Sequence, residues 1–178
     1  MNEYDVVIIG AGPGGYVCAV RASQNGLKTA IIDKKWLGGV CLNVGCVPSK
    51  ALLKNAELAH TLRERAEEFG ISFDNLKLDY ASAVKRSRGV SQRLTRGVAF
   101  LMKKNNVDVF MGEAKVGADK KITVTDSEGK TQQIGAKNIV IATGSTPVMP
   151  AAWQADGEKV ISYHEAILQE KLPKSAVI

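Results

Sequence analysis

The stretch Val6-Val7-Ile8-Ile9-Gly10-Ala11-Gly12-Pro13-Gly14-Gly15 decides the fold. Its first four residues form a continuous apolar run, which is typical of a strand buried on both faces in a parallel sheet. The glycines follow with G-x-G-x-x-G spacing, and a helical pattern over residues 14–25 stops at Gly26. A second apolar strand is predicted over residues 28–32 and ends at Asp33. This succession predicts a dinucleotide-binding βαβ unit.

Each conspicuous residue of this unit has a physical role in holding a dinucleotide. Gly10 permits the tight turn, Gly12 lets a pyrophosphate approach the backbone, and Gly15 lets the helix pack on the strand. The helix N-terminus attracts the phosphate charge. Asp33, 18 residues after Gly15, is placed to accept a hydrogen bond from a ribose hydroxyl. The motif alone does not distinguish FAD from NAD.

Two of the three cysteines lie in a glycine-rich stretch over residues 38–50. On an ideal helix, residues five positions apart have Cα atoms roughly 8–9 Å from each other. A disulfide tolerates a Cα separation of at most about 7 Å. A bridge between Cys41 and Cys46 therefore requires that the segment between them is not regular helix. Gly45 and Pro48 suit such an interruption, and we predict a helix that starts near Pro48.

The position of Cys46 favours redox chemistry. Just before a helix N-terminus, the helix dipole favours a thiolate, and Lys50 adds positive charge one turn later. The alternative is a pair of buried or metal-binding cysteines. Zinc sites usually have C-x₂₋₄-C spacing and two further ligands. Only Cys18 and two distant histidines remain, so we predict no metal site.

Further along the chain, the pattern changes from helices to strands. Long helices are predicted over residues 48–69 and 79–105. Short strands follow as an antiparallel insert, and a buried strand over residues 138–142 returns to the parallel sheet and ends at a Thr-Gly-Ser turn. The predicted fold class is therefore α/β, with a Rossmann-like parallel central sheet, long helices and a small antiparallel β insert. The predicted insert strands are residues 107–110, 114–116, 122–125 and 131–134.

The composition of the 178 residues excludes several classes of protein. No apolar run approaches the roughly 18 residues of a membrane span, and the first apolar run is too short for an ordinary signal peptide. We therefore expect a cytoplasmic protein, where a disulfide is catalytic or redox-sensing. The net charge of +6 comes from scattered lysines and arginines, such as Arg86. These indicate mainly solvated faces rather than a nucleic-acid surface.

The sequence resembles the pyridine nucleotide–disulfide oxidoreductases over its whole length. The resemblance rests on the glycine loop at residues 10–15, the cysteine stretch at residues 39–50 and the segment at residues 142–145. Within the family, Leu42 and Ser49 are most like the members that oxidise dihydrolipoamide, whereas glutathione reductases tend to have Val and Lys there. Mercuric reductases are similar enough to stay an alternative. The family's soluble transhydrogenases lack the cysteine pair.

The resemblance implies FAD at the glycine loop and NAD in the full-length enzyme. It implies an FAD-binding domain over residues 1–150, with residues 151–178 as a linker helix and the first strand of an NAD-binding domain that begins near Ala176. It further implies a catalytic His–Glu pair in a C-terminal dimerisation domain, a homodimer, and a lipoyl domain of a 2-oxo acid dehydrogenase complex as partner. We expect the 178-residue chain alone to be inactive.

The resemblance also assigns roles to individual residues. Cys41 is the expected interchange thiol, Cys46 the flavin-side thiolate, and Lys50 lies near the flavin N5. Asp33 stands where the family more often has Glu, and the loop after it is short. Two other classes stay open, namely a disulfide reductase with another substrate and a non-catalytic FAD-binding module. The implied cofactor contacts are Gly10, Gly12, Pro13, Gly14, Gly15, Asp33, Lys34, Gly38, Gly39, Val40, Cys41, Cys46, Lys50, Gly112, Thr143, Gly144 and Ser145.

Overall fold

The computed structural model describes residues 2–150, 152–153 and 155–178. By its internal contacts the chain divides into two compact units. The first unit comprises Met1–Asn43 and Arg93–Val148, and the second comprises Val44–Gln92 and Met149–Ile178. The first unit holds the sheet and the glycine loop, and the second begins at Val44, two residues before Cys46.

The first unit is built on a mixed sheet of six strands in the order β3-β2-β1-β6-β5-β4. The longest helices of the chain are the third, which begins at Cys46, and the fourth. The strands are β1 (Asn2–Ile9), β2 (Thr29–Asp33), β3 (Asp108–Met111), β4 (Glu113–Val116), β5 (Lys121–Thr125) and β6 (Thr131–Ile141). The helices are α1 (Pro13–Gln24), α2 (Gly39–Val44), α3 (Cys46–Glu64), α4 (Tyr80–Lys104) and α5 (Tyr163–Leu168), with one 3₁₀ turn at Glu67–Phe69.

The predicted parallel sheet is confirmed. β1 lies between β2 and β6 and pairs in parallel with both, with Ile8 opposite Ile31 on one side and Val140 on the other. Val7, Ile8 and Ile31 are fully buried, as expected for a strand covered on both faces. The α/β class and the βαβ unit follow directly from the apolar run and the glycine loop.

Two predictions about the antiparallel insert were wrong. The run near residue 108 is not part of the insert, because β3 pairs in parallel with β2 at the sheet edge. The two runs at residues 131–134 and 138–142 form one strand, β6, which pairs antiparallel with β5 and in parallel with β1. Gly135 lies inside this strand, where a methyl group would lie only 2.1 Å from the Glu3 carboxylate. The glycine therefore admits a neighbouring side chain and does not end the strand.

The predicted helices are present with differences at their ends, whereas the short helix α2 was not predicted. α3 begins at Cys46, two residues before the predicted start, and it gives way to the 3₁₀ turn that ends at Gly70. Asp79 caps α4 as predicted and accepts hydrogen bonds from the Ala81 N–H and the Ser82 hydroxyl. The capping box at the start of α5 is formed by Ser162 and Glu165.

The end of the chain and its hydropathy add two observations. Residues 176–178 form no strand, so the predicted start of a second domain stays a prediction. Within the described part of the chain, no helix combines the length and the apolarity that a membrane crossing requires.

The apolar core of the first unit lies on the sheet and includes one buried tyrosine. Tyr4 is 1% exposed, and its hydroxyl donates a 2.7 Å hydrogen bond to the Asp108 carboxylate. Its ring meets Phe110 edge to face. Burial, with a smaller effect of the Asp108 carboxylate, raises the pKa of Tyr4 to about 12. The core cluster consists of Tyr4, Val7, Ala30, Ile32, Ile122, Val124, Ile134 and Ala136.

We expect the stability of the first unit to fall as the pH rises above 10. The unfolded chain loses the Tyr4 proton near its ordinary pKa of 10.0, whereas the folded chain keeps it to about pH 12. The contribution is thus complete below pH 10 and is lost as the pH rises toward 12. Tyrosinate absorbance should show one late titration, which Tyr4→Phe removes. Titration of all four tyrosines together near pH 10 would contradict this.

Candidate functional site

In the first unit, backbone atoms pack so closely around the glycine loop that two of its positions leave no room for a side chain. Gly10 has φ +106°, and a methyl group there would lie 2.1 Å from the Ala142 carbonyl oxygen. A methyl group at Gly15 would lie 1.7 Å from the Gly10 carbonyl oxygen. Glycine is therefore required at both positions, as the roles predicted for a tight turn and for close helix–strand packing demand.

The glycine loop also meets the segment that leads to the first cysteine. Gly39 has φ +58°, and a methyl group there would lie 2.6 Å from the Gly12 Cα. The Gly38 N–H donates a 2.8 Å hydrogen bond to the Ala11 carbonyl. The start of α2 therefore lies directly against the loop predicted to bind pyrophosphate. The glycine pattern of the sequence did not reveal this contact, because it joins two loops distant in the chain.

Gly12 differs from Gly10 and Gly15, because its open side faces unoccupied space. A methyl group at Gly12 would have the Gly39 Cα, 3.9 Å away, as its nearest neighbour. Gly12 is the N-cap of α1, has extended backbone angles, and no side chain caps this helix end. Pro13 is the first residue of the helix, and Gly14 is exposed with no atom near its absent Cβ. A phosphate group fits such a helix end.

Asp33 lies at the end of β2, as predicted, but its carboxylate also accepts backbone hydrogen bonds that the sequence did not reveal. One oxygen accepts a 2.7 Å hydrogen bond from the Ala11 N–H. The other accepts hydrogen bonds from the N–H groups of Lys35 at 2.8 Å and Trp36 at 3.1 Å. A carboxylate offers about four acceptor positions, so one is left for a ribose hydroxyl. Asp33 thus joins the glycine loop to the short loop that begins at Lys34.

The remaining predicted contacts of this unit lie around the same loop. Gly112 is buried, donates its N–H to the Asp33 carbonyl at 2.9 Å and lies close to the Thr125 backbone. Thr143, Gly144 and Ser145 follow β6 as exposed residues, and the Thr143 Cα lies beside Gly10. Lys34 and Val40 are exposed. Whether each residue touches a cofactor stays a prediction.

Cys41 lies in the short helix α2, which has an unusual residue at each end. Gly38 before it and Gly39 at its first position have positive φ, and Gly45, with φ −134° and ψ −114°, separates it from α3. The predicted break in regular helix between the cysteines is therefore present. Cys18, Cys41 and Cys46 are all thiols in the structure. The 41–46 disulfide stays a prediction.

In the second unit, Cys46 is the first residue of α3 and is exposed. Gly45 is the N-cap and provides no capping side chain, although its carbonyl accepts a 2.7 Å hydrogen bond from the Ser49 hydroxyl. Lys50 is exposed four residues later, on roughly the same face as Cys46. A thiolate at Cys46 would therefore have the helix dipole and one cationic side chain to stabilise it.

Arg86 has a structural role that the sequence did not suggest. Its guanidinium donates hydrogen bonds to the Ala51 carbonyl at 3.0 Å and the Asn55 side-chain oxygen at 2.8 Å. These bonds tie α4 to the first turns of α3, the helix that begins at Cys46. Among the basic residues of α4, which were predicted to form mainly a solvated face, this one thus has a fixed protein partner.

Metal ligation finds no support in this geometry. Across residues 2–150, 152–153 and 155–178, no three or more His, Cys, Asp or Glu side chains are grouped to hold a metal ion. The features that converge instead are an uncapped helix start, an open glycine and an acid at the end of the neighbouring strand. They suit a dinucleotide whose pyrophosphate rests on Gly12.

Comparison with a protein-family model shows which family the chain belongs to. The model described as pyridine nucleotide-disulphide oxidoreductase matches residues 4–178. The chain belongs to this family. The resemblance found in the sequence motifs is thereby confirmed, and so is the FAD-binding fold class.

Curated members of the pyridine nucleotide–disulphide oxidoreductase family give closer comparisons. Dihydrolipoyl dehydrogenase of Chlorobaculum tepidum is 46% identical over 99% of this chain and 37% of its own length. Dihydrolipoyl dehydrogenase of Mycobacterium bovis is 48% identical over 100% of this chain and 38% of its own length. The chain thus spans less than two fifths of the length of these two relatives.

Solved structures of the family show the same fold. Mycobacterium tuberculosis LpdA aligns with a TM-score of 0.85 at 25% identity, covering 97% of this chain and 38% of that one. The HOCl-induced flavoprotein disulfide reductase RclA of Escherichia coli aligns with a TM-score of 0.71 at 28% identity, covering 85% of this chain and 31% of that one. Family membership makes FAD the cofactor, and its place at the glycine loop stays a prediction.

We expect Gly12→Val to abolish FAD binding while the chain still folds. The backbone angles at Gly12 suit valine, and the nearest atom to the new Cβ is 3.9 Å away, so the protein tolerates the added Cβ while the side chain takes up space beside the predicted pyrophosphate position. Flavin retention after gel filtration and the circular dichroism spectrum measure the two properties. Wild-type flavin affinity in this variant would refute the assignment of Gly12.

Proposed function

We propose that the chain is the FAD-binding portion of a dihydrolipoyl dehydrogenase. The full enzyme oxidises protein-bound dihydrolipoamide to lipoamide and reduces NAD⁺. The observation that carries the proposal is the contact between Gly12 and Gly39, because it sets the segment leading to Cys41 against the flavin-binding loop. The identity of 46–48% to dihydrolipoyl dehydrogenases over nearly the whole chain supports the choice of substrate.

The two cysteines have different roles in this proposal. A thiolate of dihydrolipoamide attacks Cys41 and forms a mixed disulfide, and the Cys46 sulfur leaves as a thiolate. The second substrate thiol then attacks the mixed disulfide, which releases lipoamide and leaves Cys41 reduced. When bound, FAD would supply the two-electron acceptor that returns the reduced Cys41–Cys46 pair to the disulfide and the hydride that reduces NAD⁺. The asymmetry rests on position, because Cys46 starts α3 and Cys41 lies in α2.

The chain's own residues supply orientation and charge. Lys50 provides a positive charge on the face of α3 that carries Cys46 and lies near the flavin N5 in this proposal. Asp33 accepts a hydrogen bond from the adenosine ribose at its remaining acceptor position. Gly112, whose N–H donates a hydrogen bond to the Asp33 carbonyl, lies at the adenosine end. Thr143, Gly144 and Ser145 line the cofactor beside Gly10. The short loop from Lys34 sets how closely the ribose approaches.

The proposal extends to the rest of the protein. Residues 1–150 form the FAD domain and residues 151–178 lead into an NAD domain, which supplies the hydride acceptor site. The complete protein is a cytoplasmic homodimer that serves the lipoyl domain of a 2-oxo acid dehydrogenase complex. The chain length, less than two fifths of the relatives, supports the presence of further domains in the enzyme.

Substrate choice in the complete protein tests the proposal. We expect NAD⁺ reduction with dihydrolipoamide, and no comparable turnover with NADPH and either glutathione disulfide or Hg²⁺. Faster turnover with one of those two substrates would make the protein another member of the family. A protein that binds FAD but turns over none of the three would be a non-catalytic flavin module.

A further inference from the structure

Asn43, between the two cysteines, makes an unusual number of hydrogen bonds for a short helix. Its side-chain NH₂ group donates to the Leu37 carbonyl at 3.0 Å and to the Gly39 carbonyl at 2.9 Å. Its side-chain oxygen accepts a 3.4 Å hydrogen bond from the Thr95 hydroxyl of α4. Both amide donors and the amide acceptor are thus engaged within the first unit.

These bonds compensate for two weaknesses of α2. A helix of six residues is too short to be stable by itself, and asparagine is a poor helix former. Glycines flank α2 at both ends, and because a glycine backbone is less restricted than that of other residues, these flanks alone constrain the orientation of α2 only weakly. The Asn43 amide closes the turn that precedes α2 and ties the helix to α4. Cys41, two positions earlier, faces another direction, so Asn43 acts on it through the backbone.

We propose that Asn43 is a positioning residue for the redox pair, since its side-chain amide holds α2 in the orientation from which Cys41 closes the disulfide with Cys46. The inference rests on the proposed function, because it presupposes that the pair forms a disulfide. Loss of the amide leaves both thiols intact but lets α2 move between its glycine ends. Cys41 then spends less time in the geometry that bonding requires.

The test is the equilibrium of the 178-residue chain with glutathione. Oxidation forms the 41–46 bond and takes two electrons from the pair, while glutathione disulfide is cleaved and accepts the two protons as two glutathione thiols. We expect Asn43→Ala to lower this equilibrium constant about tenfold, because all three neutral hydrogen bonds of the side-chain amide are lost. The alkylation rate of reduced Cys41 relative to Cys46 should change as well.

Asn105→Ala is the matched control. The Asn105 side chain also donates to the carbonyl four residues earlier, that of Leu101 at 2.8 Å, but it lies at the end of α4. Asn105→Ala should lower the free energy of unfolding by as much as the loss of one helix hydrogen bond does. Its equilibrium constant with glutathione should stay within about twofold of the wild-type value. A general structural effect would instead move both variants together, which would overturn the inference.

Thr95→Val supplies a second variant in case Asn43→Ala does not fold. It removes the bond from α4 and keeps the two bonds to Leu37 and Gly39, so we expect a fall of about threefold in the same constant. If Asn43→Ala folds and its equilibrium constant with glutathione is unchanged, the inference is overturned. If Asn43→Ala does not fold, an unchanged constant in Thr95→Val overturns it. Either result leaves the proposed function standing. Absence of any 41–46 disulfide in the wild-type chain overturns both this inference and the proposed function.

Discussion

Gly15→Ala should unfold the first unit or lower its free energy of unfolding by about 3 kcal/mol or more. Substitutions that overfill a core typically lower this free energy by about 1–3 kcal/mol. The new methyl group would lie 1.7 Å from the Gly10 carbonyl oxygen. That neighbour is backbone within the tight turn after β1, so it cannot move aside as a flexible side chain would. Flavin binding should be lost together with the fold. Denaturant unfolding of the purified chain measures the effect.

Gly97→Ala is the matched control for this prediction. Gly97 also lies in a helix of the first unit, is exposed, and has no atom within 4 Å of its absent Cβ. Alanine should therefore stabilise the chain by about 0.5–1 kcal/mol through helix propensity. Equal stability changes in the two variants would mean that α1 does not approach the glycine turn as closely as the structure has it.

The second large effect concerns the cysteines. Cys41→Ser and Cys46→Ser should each reduce dihydrolipoamide oxidation by the complete protein at least about a thousandfold, because each removes an atom that forms a covalent bond in the reaction. FAD content and folding should stay unchanged. Cys18→Ser is the control, since Cys18 lies in α1, away from the cysteine stretch in sequence. Substantial turnover in either of the first two variants would remove the disulfide from the mechanism.

The parallel half of the fold was predictable because its signals are local. An apolar run without alternation, a glycine turn and an acid at the next strand end identify β1, α1 and β2 without knowledge of the rest of the chain. The start of α4 next to Asp79 was predictable for the same reason, since capping depends on a few neighbouring residues.

The errors arose where a residue's role depends on a distant part of the chain. The runs at residues 131–134 and 138–142 were predicted as separate strands, yet they form the single strand β6, in which Gly135 accommodates the Glu3 side chain. The short run near Val109 has nothing local to show that it pairs in parallel with β2. Pairing partners are set by topology, which short apolar runs do not encode.

The candidate site was predictable in its residue types but not in its connections. The cysteine spacing and the glycine loop were evident as separate motifs. Their contact through Gly12 and Gly39, and the use of Asp33 to bind the Ala11 N–H, depend on backbone geometry over more than 20 positions. The tie from Arg86 to α3 was likewise hidden, because an arginine on a helix is usually solvated.

The absorption spectrum of the cysteine variants tests the central claim, that the redox pair lies against the flavin with Cys46 nearer to it. In the complete protein with FAD bound, Cys41→Ser should show a long-wavelength charge-transfer band from a Cys46 thiolate. Cys46→Ser should show no such band, although its Cys41 thiol should still react with alkylating agents. A band in Cys46→Ser but not in Cys41→Ser would reverse the two roles. Absence of the band from both variants, with no 41–46 bridge found by mass spectrometry, would contradict the account.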